Sequence, residues 1–187
     1  TYNSADNPVT MTYPDGEVLN YDYDSQGNLQ SIVNGDSFTY LENMLYDEAG
    51  RISEMDLGAD ILEKNFSYYS WSTSTMGGSL SNMTAAQVGG STLQDIDYSY
   101  DANGNITEID SDIAGETSTY TYDTLNRLTS AIVNDGSTDV FTEAFGYNST
   151  NGNLQYKGET TGTWDEYEYN ASQPHAVTHV GDSANQR

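Results

Sequence analysis

The chain has only two histidines, His175 and His179, four residues apart. In an extended strand that spacing puts both side chains on one face, with the carboxylates of Asp165 and Asp182 nearby in sequence. A metal site built on them would need a further ligand placed as accurately; without one, the pair reads as strand texture. Acidic turns such as DANGN (Asp101 to Asn105) carry the oxygens that calcium takes. None follows the D-x-D/N-x-D/N-G loop, because Gly104 comes two residues too early. Trp71, Trp164 and the 16 tyrosines could stack on a sugar ring, although tyrosines alternating ahead of turns fit cross-strand packing better. The sequons at Asn65 and Asn82 follow from an Asn/Ser/Thr-rich composition. Serine and aspartate are plentiful, yet there is no G-x-S-x-G elbow and no H-E-x-x-H pair. The expectation is a chain that is not an enzyme, with no catalytic residue, cofactor or metal to assign.

What the sequence does repeat is a turn. YDSQGNLQSI starts at Tyr23, YDEAGRISEM at Tyr46, YDANGNITEI at Tyr100 and YDTLNRLTSA at Tyr122; weaker copies start at Tyr2, Tyr147 and Tyr169. The period is about 22 residues, broken by one interval of 54 that has room for two copies. Within it, Tyr69 opens a copy whose turn is widened, giving an irregular unit over residues 69–99. Eight units then cover residues 1–187 as a single array.

Each unit decodes as strand, tight turn, strand, tight turn. In NYDYD, DYSYD, TYTYD and EYEYN the tyrosines alternate, so that Tyr21 and Tyr23, or Tyr98 and Tyr100, share a strand face. The D-x-x-G that follows suits a type I turn. The aspartates are Asp24, Asp47, Asp101 and Asp123, each able to accept a hydrogen bond from the backbone two residues on. The last turn position holds Gly27, Gly50 and Gly104, but Asn126 and Asp6 in two copies. Asn and Asp are the non-glycine residues that best tolerate positive φ, so backbone geometry dictates this slot. Beyond the turn come apolar pairs three apart: Leu29 and Ile32, Ile52 and Met55, Ile106 and Ile109. Either a bulge intervenes or both faces of the strand are partly buried. Second turns such as YPDGE (Tyr13 to Glu17), VNGDS (Val33 to Ser37) and VNDGS (Val133 to Ser137) are hairpin signals. The fold class is therefore all-β, a series of antiparallel hairpins. Ser81 to Gly90 (SNMTAAQVGG) is the one stretch whose composition is open to a short helical turn.

Composition limits the partners. With 29 acidic residues against 5 basic ones, the formal charge of −24 repels nucleic acid and anionic membrane. No apolar run is long enough to span a bilayer as a helix, so membrane insertion is not expected. There is no cysteine and hence no disulfide or thiolate site. The sequence starts and stops in mid-pattern, which leads us to expect a segment of a longer protein.

The unit Y-D-x-x-G-R/N-L/I, the phrase TYPDGE (Thr12 to Glu17) and PHAVTHVG (Pro174 to Gly181) closely resemble the repeats of the Rhs and YD-repeat proteins. These include bacterial Rhs effectors, the B and C components of Tc toxins, wall-associated proteins and teneurins. The resemblance covers essentially all 187 residues. It implies a spiralling sheet of hairpins, part of a secreted or cell-surface β shell that encloses a C-terminal toxin or effector domain. The alternative role it implies is an extracellular adhesin, filament-forming or glycan-binding module without cargo. The partners implied are the neighbouring repeats of the same parent chain and an encapsulated toxin domain, with self-association edge to edge open to exposed strands. The repeat-motif residues are then Tyr23, Asp24, Gly27, Tyr46, Asp47, Gly50, Tyr100, Asp101, Gly104, Tyr122, Asp123 and Asn126. The D-P-x-G-type motif of many bacterial members is absent from this stretch, so self-cleavage is assigned to no residue here.

Overall fold

The computed structural model describes residues 1–35, 38–59, 61–72, 76–159 and 164–182. Among them every regular element is a strand. Backbone contacts divide the chain into two units, Thr1–Ile96 and Asp97–Arg187.

In the first unit, β1 (Thr10–Thr12), β2 (Val18–Tyr23), β3 (Leu29–Asn34), β4 (Thr39–Tyr46), β5 (Ile52–Leu57), β6 (Leu62–Tyr68) and β7 (Leu80–Gln87) follow one another. Each pairs antiparallel with its sequence neighbour. Strand β8 (Thr92–Tyr100) runs across the boundary between the units. In the second unit, β9 (Ile106–Ser111), β10 (Glu116–Tyr122), β11 (Leu128–Asn134), β12 (Asp139–Tyr147), β13 (Leu154–Gly158), β14 (Trp164–Asn170) and β15 (Gln173–Asp182) form ladders of the same kind.

Ladders between sequence neighbours give each unit a single layer, and a single layer has no closed core. Leu19, Leu41, Ala85 and Ala131 are the only buried hydrophobic side chains among the described residues, and no large side chain is fully buried. The strands instead bury both faces halfway: every residue of β5 and β9 is intermediate. One face is nevertheless the more apolar. In the first unit it carries Leu19, Tyr21 and Tyr23 of β2 opposite Asn34, Ile32 and Leu29 of β3, and continues through Met44 opposite Met55 and Phe66 opposite Met83.

The apolar pairs three apart are explained by a bulge. Asp22 faces Ser31 but Tyr23 faces Leu29, which leaves Gln30 as the extra residue. The same slip recurs between Leu45 and Tyr46, between Thr121 and Tyr122, and between Gly146 and Tyr147. One extra residue restores the alternation of Leu29 and Ile32 to one face. The stretch Ser81–Gly90 is not helical: Leu80–Gln87 is β7, paired along its length with β6, and a turn follows in which Gly90 N–H donates to Gln87 O at 2.9 Å. Pairing with β6 overrides the helix propensity of its two alanines. Among the described residues no helix is long and apolar enough to cross a membrane.

Candidate functional site

The Y-D turn is the recurrent structure, and its aspartate organises it. Asp24 N–H donates to Asn28 O at 2.9 Å and Gly27 N–H to Asp24 O at 3.1 Å. The Asp24 carboxylate accepts from Gln26 N at 2.9 Å and Asn28 N at 2.8 Å through Oδ1, and from Asn28 Nδ2 at 3.0 Å through Oδ2. Asp47, Asp101 and Asp123 repeat the arrangement. Donation from the side chain four residues on, Asn28, Arg51, Asn105 or Arg127, is the largest cause holding each of these carboxyls below the usual carboxylate range. The fourth turn position is left-handed in each case: φ is 88° at Gly27, 76° at Gly50, 88° at Gly104, 60° at Asn126 and 61° at Asp6.

The tyrosine ahead of the turn ties six of the repeats to the one before. Ladders between successive hairpins stop two residues short of the Y-D turns: β11 and β12 pair as far as Ser130 and Ala144, β9 and β10 as far as Glu108 and Thr119. Beyond that point the carbonyls of Leu128 and Ile106 have no ladder partner, and an unpaired backbone carbonyl away from water is costly. The tyrosine hydroxyl takes the place. Tyr147 donates to Leu128 O at 2.9 Å and Tyr122 to Ile106 O at 2.8 Å. Tyr46 donates to Leu29 O at 2.9 Å, Tyr68 to Ile52 O at 2.7 Å, and Tyr169 to Leu154 O at 2.9 Å. Tyr23 reaches Pro8 O at 2.8 Å. Burial raises the phenols of Tyr46, Tyr68, Tyr122 and Tyr147. In the widened repeat the bond belongs to Tyr68, one residue before the Tyr69 from which the period runs; Tyr69 stands in the aspartate slot, its N–H donating to Ser79 O at 2.9 Å.

The slot after the left-handed residue makes a second link. Arg51 grips Asp47 through Nε at 2.7 Å and Nη2 at 2.5 Å. Its Nη1 donates to Gly78 O at 2.8 Å, and its guanidinium lies over the rings of Tyr68 at 4.0 Å and Trp71 at 5.4 Å. Arg127 repeats this with Asp123, with Gly152 O at 3.3 Å and with the Tyr147 ring at 4.3 Å. Stacking on an aromatic face while donating in plane uses the whole guanidinium. Asn105 binds Asp101 Oδ2 and Asn126 Oδ1, at 2.8 and 2.9 Å. These contacts join repeats, so no local pattern displays them. The available signal was that two of only five basic residues occupy the same repeat position.

The other sequence candidates do not converge. His175 Nδ1 lies 2.9 Å from Asn153 Oδ1, while His179 stands in register with Glu168; slips at Tyr169 separate the two histidines. The side chains of Asp182 and Trp164 lie outside the described residues. Trp71 lies across Gly78, where a Cβ would come within 2.1 Å of its ring. The oxygens of Asp101 are engaged by Asn103 N–H and by Asn105. Asn65 and Asn82 sit within β6 and β7.

The RHS Repeat family model matches residues 2–39 and 98–138. No curated protein matches the chain in sequence. Among solved structures, TcdB2-TccC3 without its hypervariable C-terminal region superposes with a TM-score of 0.77 at 19% identity, covering 95% of this chain and 10% of that one. The Photorhabdus luminescens Tc holotoxin pore superposes at 0.69 and 20% identity, covering 95% and 9%. TcdB2-TccC3 itself gives 0.70 at 19% identity, covering 94% and 9%. The chain thus spans about a tenth of the structures it matches. The RHS Repeat match over residues 2–39 and 98–138 and the repeated Y-D turn mark RHS repeats in this chain, and its all-β fold is the one seen in the Tc structures.

Proposed function

We propose that this segment is architectural: a stretch of wall in a large secreted or surface-displayed β shell that encloses a C-terminal toxin or effector domain. The observation that carries the reading is the uniform joint. Six tyrosine hydroxyls bond to the preceding repeat in the same way, so hairpins can be added without new chemistry. The fit to a tenth of TcdB2-TccC3 supports a stretch of a much larger body.

On this reading the eight repeats are one array, and Tyr23, Asp24, Gly27, Tyr46, Asp47, Gly50, Tyr100, Asp101, Gly104, Tyr122, Asp123 and Asn126 are its structural motif. None of them is catalytic. The neighbouring repeats of the parent chain and the enclosed domain are its partners. Electron cryomicroscopy of the full-length parent protein tests this. A hollow particle with density inside is expected; a filament, or an elongated body without a cavity, would favour the adhesin instead.

A further inference from the structure

The Y-D turns differ in length, and the slot residue of the preceding repeat differs with them. The turns at Asp47, Asp101 and Asp123 have the basic length, and the residues ahead of them are Asn28, Ser79 and Asn105. The turn from Asn148 to Gly152 is one residue longer, and the residue ahead of it is Arg127. The turn from Tyr69 to Gly78 is six residues longer, and the residue ahead of it is Arg51. Both of these turns still end on a left-handed glycine, with φ of 77° at Gly152 and 88° at Gly78. It is the carbonyl of that glycine that each arginine reaches. Asn105 reaches the residue in the same slot, Asn126, through its side chain. Asn153, ahead of a turn without insertion, reaches Pro174 O.

We propose that, where this slot holds arginine or asparagine, it is a latch between a repeat and its successor, and that its length is matched to the turn it must reach: a short side chain ahead of a basic turn, arginine ahead of one with inserted residues. The inference rests on the repeat array itself and not on any cargo. Asparagine has one short amide, which can bind its own aspartate and a close neighbour but no further. Arginine places two donors on its own aspartate and keeps a third for a carbonyl farther out, while the next tyrosine supports its plane. Lysine would keep the charge without the fork. If arginine served only to neutralise Asp47 or Asp123, the link to the next turn would be incidental.

Hydrogen exchange on the 187-residue chain separates the two roles. In Arg127→Asn, amides of residues 148–153 in the following turn should exchange faster by about tenfold, as for loss of one charge-assisted hydrogen bond. Arg127→Lys should do nearly the same. Deleting Thr150 in the Arg127→Asn background shortens the turn and should bring protection back to within about threefold of the parent. Arg51→Asn gives an independent reading at residues 76–80 that needs no deletion. Protection of the following turn that is unchanged in Arg127→Asn and Arg51→Asn, or fully kept by Arg127→Lys, would overturn the latch. A Thr150 deletion that folds but restores nothing would overturn the matching of length.

Discussion

In each unit the Y-D turns lie at one rim and the turns that return the chain lie at the other, and the two rims are built on different terms. At the Y-D rim the same few contacts recur: an aspartate saturated by donors, a left-handed residue, and a tyrosine on the previous repeat's carbonyl. At the return rim some turns share a backbone bond to the carbonyl four residues on, as Tyr13, Asn34 and Gln87 make, but the turns differ from one another. Tyr13 N–H bonds Glu17 O at 2.8 Å in one turn, Gly115 N–H bonds Ser111 O at 2.7 Å in another, and Asp135 N–H bonds Thr138 O at 3.0 Å in a third. Gly58 and the neighbouring Ala59 are both left-handed, with φ of 71° and 55°. Glu17 gathers bonds from Asn34 and Tyr40. A stack can thus be held in step from one rim, which leaves the other free to vary in length and sequence. Repeat arrays in which each element touches only its neighbours accept variation on this basis.

The contrast breaks most visibly at the glycines. Gly104 has φ of 88°, and a Cβ there would meet nothing within 4 Å, so the backbone alone sets the effect of a substitution. Gly104→Val should lose about 1–3 kcal/mol by chemical denaturation, because β-branched residues strain in the left-handed region. Gly104→Asn should stay close to the parent, as Asn126 adopts φ of 60° in the same slot. On the return rim Gly35 has ordinary backbone and open space around it, so Gly35→Ala should change stability by less than about 0.5 kcal/mol. Equal losses at Gly104 and Gly35 would erase the difference between the rims.

The tyrosine bond comes next. Tyr122→Phe removes the donor to Ile106 O and leaves that carbonyl without its partner, a loss of about 1–1.5 kcal/mol. Tyr120 lies two residues earlier on the same strand, and its hydroxyl has no acceptor among the described residues; Tyr120→Phe should fall within about 0.5 kcal/mol of the parent. Matched denaturation curves of the two variants give the comparison directly, and equal midpoints would remove the tyrosine joint.

How much of this was legible follows from how local each signal is. The left-handed slot can be read because Gly, Asn and Asp share one conformational tolerance, and the tyrosine face because a strand alternates strictly. The spacing of Leu29 and Ile32 left two readings open, since a bulge and burial on both faces give the same apolar pattern; the structure has both features. Adjacent tyrosines hid the register of the widened repeat, where pairing with Leu80 and the bond to Ile52 O pick out Tyr68 over Tyr69. The links from Arg51 to Gly78 and Arg127 to Gly152 span 27 and 25 residues. No window of local propensity contains both ends.

Acid should weaken the Y-D rim by a smaller step. The carboxyls of Asp24, Asp47, Asp101 and Asp123 sit below the ordinary value of 3.8 in the folded chain. The stability they contribute is therefore complete above about pH 4 and is lost as the pH falls through their lowered values. Asp135, in a return turn, is lowered further, to about 2, chiefly by the Thr138 and Ser137 donors, so its loss starts near the same pH but continues lower. Protonating the other carboxylates relieves repulsion and acts in the opposite direction, which makes the variant comparison the informative one. Asp47→Asn should flatten the fall in melting temperature that begins below about pH 4, and Asp135→Asn should flatten it over a window reaching from about pH 4 down to about 2. A profile unchanged by Asp47→Asn would mean that this turn aspartate carries no proton-linked stability.

The smallest expected effect tests where the charge of −24 is felt. At the Y-D rim each aspartate has an arginine or asparagine on it. Beside the return turn that joins β5 to β6, Asp56 stands directly opposite Glu63 in the ladder. Like charges facing each other across strands destabilise by about 0.2–1 kcal/mol. Glu63→Gln keeps an oxygen that can accept from Asn65 Nδ2 while removing the repulsion, so it should raise the melting temperature at low salt. The gain should shrink as NaCl approaches molar concentration, because the Debye length falls from about 10 Å at 0.1 M to about 3 Å at 1 M. Arg51→Gln does the reverse at the Y-D rim, exposing Asp47 and making the fold more salt-dependent. Should Glu63→Gln leave both the low-salt melting temperature and its slope against NaCl unchanged, the repulsion would be spread evenly over the strands, and the division of labour between the rims would rest on hydrogen bonding alone.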